Sequence, residues 1–141
     1  MKNLSRYLAA RPLPVTIVSI SVLCITAWNG IRAVEAIVTW NLLVRFDGDP
    51  VYILASGLLW LIAGLILLAG IADGRTFAWR AALVLSVLYM FWYWFDRLAI
   101  QVSPAANWMF SAVVSTIVFA LFNVFLFWPS SRAFFRRRTH E

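Results

Sequence analysis

Residues 50–72 read PVYILASGLLWLIAGLILLAGIA, a run with no charged side chain set between Asp49 and Asp73. It exceeds the roughly 20 apolar residues that a helix needs to cross a bilayer. Asp49-Pro50 before it is a helix start signal and Asp73-Gly74 after it a tight turn, which bounds a span at about 51–71. Outward from this run, residues 12–31 and 98–131 are also uncharged. A further span is predicted over 76–95, where Arg80 sits one turn inside the start and its guanidinium extends back to the headgroups. Of the chain's 141 residues 63% are hydrophobic and 13% charged, with a mean hydropathy of +0.84, so polar side chains are too few to cover a water-facing surface. The expected fold is an all-α bundle of four transmembrane helices.

The first span opens on Arg11-Pro12-Leu13-Pro14, and two prolines suit only an extended approach and a first helical turn. A helix is predicted from 14 to 33, with the helical pattern extending to 44, which implies strong tilt or a bend along the outer surface. The run passes Ala27 without a small-x-small cleavage site, as a retained anchor does. The last span is predicted over 107–128, with Trp108 and Trp128 as interface anchors about 30 Å apart. A basic tail, 129–141, follows. Lys2, Arg6, Arg11, Arg75, Arg80 and the tail arginines gather on one side, so the positive-inside rule makes both termini cytoplasmic. Basic residues confined to such flanks do not form a nucleic-acid stripe. The lone Cys24, read as a small core residue, and the lone His140 exclude an internal disulfide, a dithiol pair, a Cys-based zinc site and bis-histidine haem.

Few residues are candidates for chemistry. Arg32 and Glu35 share a helix face near the outer boundary, where they neutralise each other as an interfacial pair or couple a proton or cation. Asp96 and Arg97 follow a concentration of aromatics that includes Trp92, Trp94 and Phe95. These form an interface belt or one wall for a quinone or pigment, though consecutive residues point all round a helix. Gly57 and Gly64 share one face, while Ser111, Ser115 and Asn123 lie on the last span. Such small and polar faces serve packing within the bundle or an interface with another subunit. In the tail, Arg132, Arg136, Arg137 and Arg138 with Phe134 and Phe135 suit anionic lipid or an acidic partner. No nucleophile–base pair, carboxylate pair, phosphate loop or metal-ligand cluster is present, so neither an enzyme nor a resident cofactor is expected.

The Arg11-Pro12-Leu13-Pro14-Val15-Thr16 start, Trp40 in the long first helix and the Tyr93-Trp94-Phe95-Asp96-Arg97-Leu98 junction resemble a set of small bacterial four-helix integral membrane proteins. The resemblance covers most of the chain. It implies the bacterial inner membrane and attaches no activity. Small multidrug exporters are a poor match, because their essential glutamate lies midway along the first helix and Glu35 comes late. Three functions stay open: an accessory or scaffold subunit of a respiratory or photosynthetic type of complex, a homo-oligomeric carrier or channel, and a binder of a lipid-soluble cofactor. The first best explains the lack of chemistry.

Overall fold

A computed structural model describes residues 11–100 and 107–137. Among them the chain is helical almost throughout: α1 Leu13–Val38, α2 Trp40–Arg45, α3 Pro50–Ala72, α4 Thr76–Phe95 with a π-helical turn at Asp96–Ile100, α5 Trp108–Phe127 and α6 Pro129–Arg137. Four helices, α1, α3, α4 with its π turn, and α5, are long and apolar enough to cross a membrane. The chain is an all-α, multi-pass membrane protein.

The first helix does not run unbroken to residue 44: helix continues to Arg45, and of the two alternatives for the excess length the interruption at Thr39 favours a bend. Thr39 leaves helical geometry, its hydroxyl donates to the Glu35 carbonyl at 2.6 Å, and its own carbonyl accepts the first bonds of α2 from Leu42 and Leu43. A Thr hydroxyl bonded four residues back competes with the backbone ladder and bends helices. Nor is the segment after Pro129 a simple tail. Trp128 turns the chain out of α5, and Pro129, with no N–H to give, suits the first position of a new helix. Ser131 and Arg132 N–H groups then donate to the Trp128 carbonyl at 3.0 and 3.1 Å.

The chain divides into two compact units. The first, Ser19–Asp73, holds most of α1 together with α2 and α3. Asp49 caps α3 by accepting the Tyr52 N–H at 3.0 Å. Along α1, Val22, Thr26, Asn29, Ala33 and Ala36 form a continuous buried stripe, and on α3 Ser56, Gly57, Leu67, Gly70 and Ile71 are buried. The two helices meet through small residues. A Cβ built on Gly57 would lie 3.0 Å from the Asn29 carbonyl oxygen and 3.1 Å from Ala33 Cβ, and one on Gly64 would overlap Thr26 Oγ1. Helix association in lipid depends on this kind of close van der Waals packing, since lipid tails are as apolar as the helices.

The second unit contains the described residues 11–18, 74–100 and 107–137. Its α4 and α5 run antiparallel, tied at one end by Trp79 Nε1–H donating to the Leu126 carbonyl at 3.1 Å and at the other by Arg97 Nη2 donating to Asn107 Oδ1 at 2.8 Å. Helix α6 packs on both. The buried apolar residues of α4, α5 and α6, namely Ala78, Ala82, Leu126 and Phe135, concentrate at the end where α4 starts and α5 finishes, and Val15 and Val18 of α1 are also buried.

Candidate functional site

Two glycine contacts fix the register of α1 against α3. Thr26 faces Gly64 and Ala33 faces Gly57, so the helices are antiparallel and Asn29 lies level with the middle of α3. At that register Arg32 falls beside Leu58 and Glu35 beside Ala55, roughly 12 and 8 Å inside the Pro50 end at 1.5 Å per residue. The pair therefore lies alongside α3, inside its Pro50 end. Neither residue belongs to the buried stripe toward α3: Arg32 is half-buried and Glu35 is exposed, on the side of α1 that carries exposed Trp28 and Ile31. Cys24 is also exposed on α1, which corrects its reading as a core residue. Ionisable groups on membrane-spanning helices are costly and usually face a partner or a water-filled cavity.

Six other polar side chains of the spans are bonded to their own helices. Thr26 Oγ1 donates to the Val22 carbonyl at 2.7 Å, Asn29 Nδ2 to Ile25 at 2.8 Å and Asn123 Nδ2 to Phe119 at 2.8 Å. The Ser56, Ser86 and Ser115 hydroxyls donate three residues back, to Ile53, Leu83 and Ala112. Ser111 is half-buried in the first turn of α5. These donors compensate themselves locally, as a side chain in hydrocarbon must.

At the far end of α4, Asp96 is buried and opens the π turn, while Arg97 bridges to Asn107. Trp92 and Trp94 are half-buried, whereas Phe95 and Phe91 face outward. Tyr89 meets Trp92 with ring centroids 5.5 Å apart, and Tyr93 meets Trp94 at 5.6 Å. The aromatics thus distribute around the helix and do not line a common wall. Ser103 and Pro104 of the following connection lie outside the described residues, as do Lys2, Arg6, Arg138 and His140.

The basic end is more highly built. Phe135 is only 2% exposed, so it is a packing residue of α6 and not the lipid-inserting aromatic that its sequence context suggests; Phe134 beside it is half-buried. Thr76 Oγ1 donates to the Phe135 carbonyl at 3.2 Å, and the fully buried Ser131 hydroxyl donates to the Phe125 carbonyl at 2.8 Å. The Arg132 guanidinium lies 5.0 Å from the Phe127 ring centroid and 5.9 Å from that of Trp79, and these two rings meet edge to face at 5.4 Å. Thr76 and Trp79 escape notice in the sequence because each acts through a hydrogen bond to a distant backbone carbonyl. The signal that was available is the spacing of Ser131 and Phe135, one turn apart, with Arg132 between them and Arg136 after them.

Among the described residues no three His, Cys, Asp or Glu side chains come together as a metal site. No protein-family model matches this chain, and neither a curated protein nor a solved structure is similar to it.

Proposed function

We propose that this chain is an accessory subunit of a larger bacterial inner-membrane complex, one that packs against the helices of partner subunits and has no catalytic activity of its own. The observation that carries this reading is the position of Glu35, an exposed acid on α1, off its seam with α3 and alongside the Ala55 turn of that helix. An acid on the flank of a membrane-spanning helix gains most from a partner helix bearing a complementary group. A carrier would need polar groups available to a moving solute. Here Thr26, Asn29, Ser86, Ser115 and Asn123 are bonded to their own helix carbonyls. In this reading both termini are cytoplasmic, by the distribution of arginines, and the lipid contacts of the basic end are anionic headgroups. The resemblance of the Arg11–Thr16 start and the Tyr93–Leu98 junction to small bacterial four-helix membrane proteins agrees with it.

The test is native electrophoresis of gently solubilised source membranes, with mass spectrometry of the band that contains this chain. Co-migration with a large assembly is expected, and Glu35→Gln should release the chain from it while leaving its own helical content unchanged. Migration alone or as a small homo-oligomer overturns the subunit reading in favour of a carrier, for which loss of ion-coupled flux in Glu35→Gln or Asp96→Asn is the corresponding result.

A further inference from the structure

We infer that the start of α4 and the whole of α6 together form a binding site for the phosphate of an anionic phospholipid. This rests on the chain lying in a membrane and not on its being a subunit of a complex. Residues 74–80 and 129–137 contain Arg75, Arg80, Arg132, Arg136 and Arg137 and no acidic residue; the nearest acid in sequence, Asp73, ends α3. The fold brings these two segments together. The Thr76–Phe135 hydrogen bond brings the start of α4, where Arg75 lies, against the part of α6 where Arg136 lies, and the Trp79 ring contact brings Arg132 beside the turn of α4 that carries Arg80.

The arrangement differs from a charged tail lying loosely on a surface. Phe135 is buried, Ser131 is bonded to the end of α5, and the Arg132 guanidinium is held over Phe127 and Trp79 by ring contacts, which do not use its hydrogen-bond donors. Arginine donors held in place bind phosphate oxygens at a lower entropic cost than mobile ones. Trp79 and Trp128 at this end suit the headgroup level, where aromatic rings that are part apolar and part polar concentrate. A phospholipid supplies the phosphate at this level and acyl chains for the exposed apolar sides of α4 and α5, which a soluble anion does not.

The experiment uses the full chain purified in mild detergent, with native mass spectrometry of retained lipid and thermal unfolding in parallel. Phosphatidylglycerol, phosphatidylcholine and inorganic phosphate are the probes. Retention of phosphatidylglycerol in preference to phosphatidylcholine is expected, with a rise in unfolding temperature that inorganic phosphate does not reproduce. Each replacement among Arg80→Gln, Arg132→Gln and Arg136→Gln should weaken retention about fivefold. The decisive variant is Phe135→Ala, which keeps every charge but removes the residue that docks α6. Its retention should fall as far as that of the triple arginine variant. Thr76→Val, which removes only the hydrogen bond to α6, provides a milder second variant should Phe135→Ala lose its helical circular dichroism, and is expected to lower retention with the fold intact. Equal retention of the two lipids, unchanged retention when α6 is undocked, equal stabilisation by inorganic phosphate, or capture of an acidic protein without lipid would each overturn the proposal.

Discussion

The two long-helix pairs are held together by different means. Between α1 and α3 the contact is distributed: small residues on one helix meet small residues on the other from Thr26–Gly64 to Ala33–Gly57, and a Cβ on Gly64 would overlap Thr26 while one on Gly57 would crowd Asn29 and Ala33. Between α4 and α5 the polar ties are at the two ends, Trp79 to Leu126 and Arg97 to Asn107, and only 6% of each helix's most apolar window is buried, against 28% for α1 and 17% for α3. A seam of glycine and alanine buries little area per residue but lets backbones approach, and so resists separation along its whole length. A pair fastened at its ends leaves broad sides of both helices for lipid or for another protein. The first pair is therefore fastened along its length, the second at its ends.

Substitutions that attack each kind of fastening should give graded effects. The largest is expected from Gly64→Ala, which places a methyl group against Thr26 Oγ1 and within 3.1 Å of its Cγ2. Overpacking of this kind costs about 1–3 kcal/mol, measurable by unfolding in mixed detergent micelles. Thr26→Ala in the same chain should recover most of the loss, and failure to recover it would mean that the seam is not the contact described. Next comes Trp79→Phe, which keeps a ring near Phe127 and Arg132 but removes the bond to the Leu126 carbonyl. A loss of about 1 kcal/mol is expected, with faster proteolysis of α6. Arg97→Gln removes the other tie, and interhelical hydrogen bonds in membrane proteins average about 0.6 kcal/mol, so a shift of that size in the same unfolding assay is predicted. The smallest effect is a gain. Asp47 follows α2 with φ at 55° while the Gly48 N–H donates to the Leu43 carbonyl at 2.8 Å, so Asp47→Gly should raise the unfolding free energy in the same assay by about 0.5 kcal/mol.

The four spans were legible because uninterrupted apolar length is the physical requirement for crossing a bilayer, and Asp49-Pro50 and Asp73-Gly74 mark where one of them must begin and end. The break at Thr39 was not, since apolar periodicity persists through Trp40 and the interruption comes from one hydroxyl turning back on its own helix. Gly57 and Gly64 are visible as a small face, but a single helix does not reveal which surface it meets. Only their contacts with Thr26, Asn29 and Ala33 fix the register, and the register in turn sets where Arg32 and Glu35 lie along α3. Phe134 and Phe135 looked alike because the same amphipathic spacing suits lipid and protein, yet the second is buried against its own chain.

The proposed partner contact at the Arg32–Glu35 turn requires that turn of α1 to lie within the membrane, which cysteine labelling along the helix tests. In a Cys24→Ala background, single cysteines at Ile31, Val34 and Trp40, all exposed positions, would be challenged in intact membranes with a maleimide that does not cross lipid, applied from either face. The account predicts rapid labelling at position 40 and none at 31 or 34 until the membrane is dissolved in detergent. Labelling of 31 and 34 as fast as 40 would put the turn in water and contradict the account.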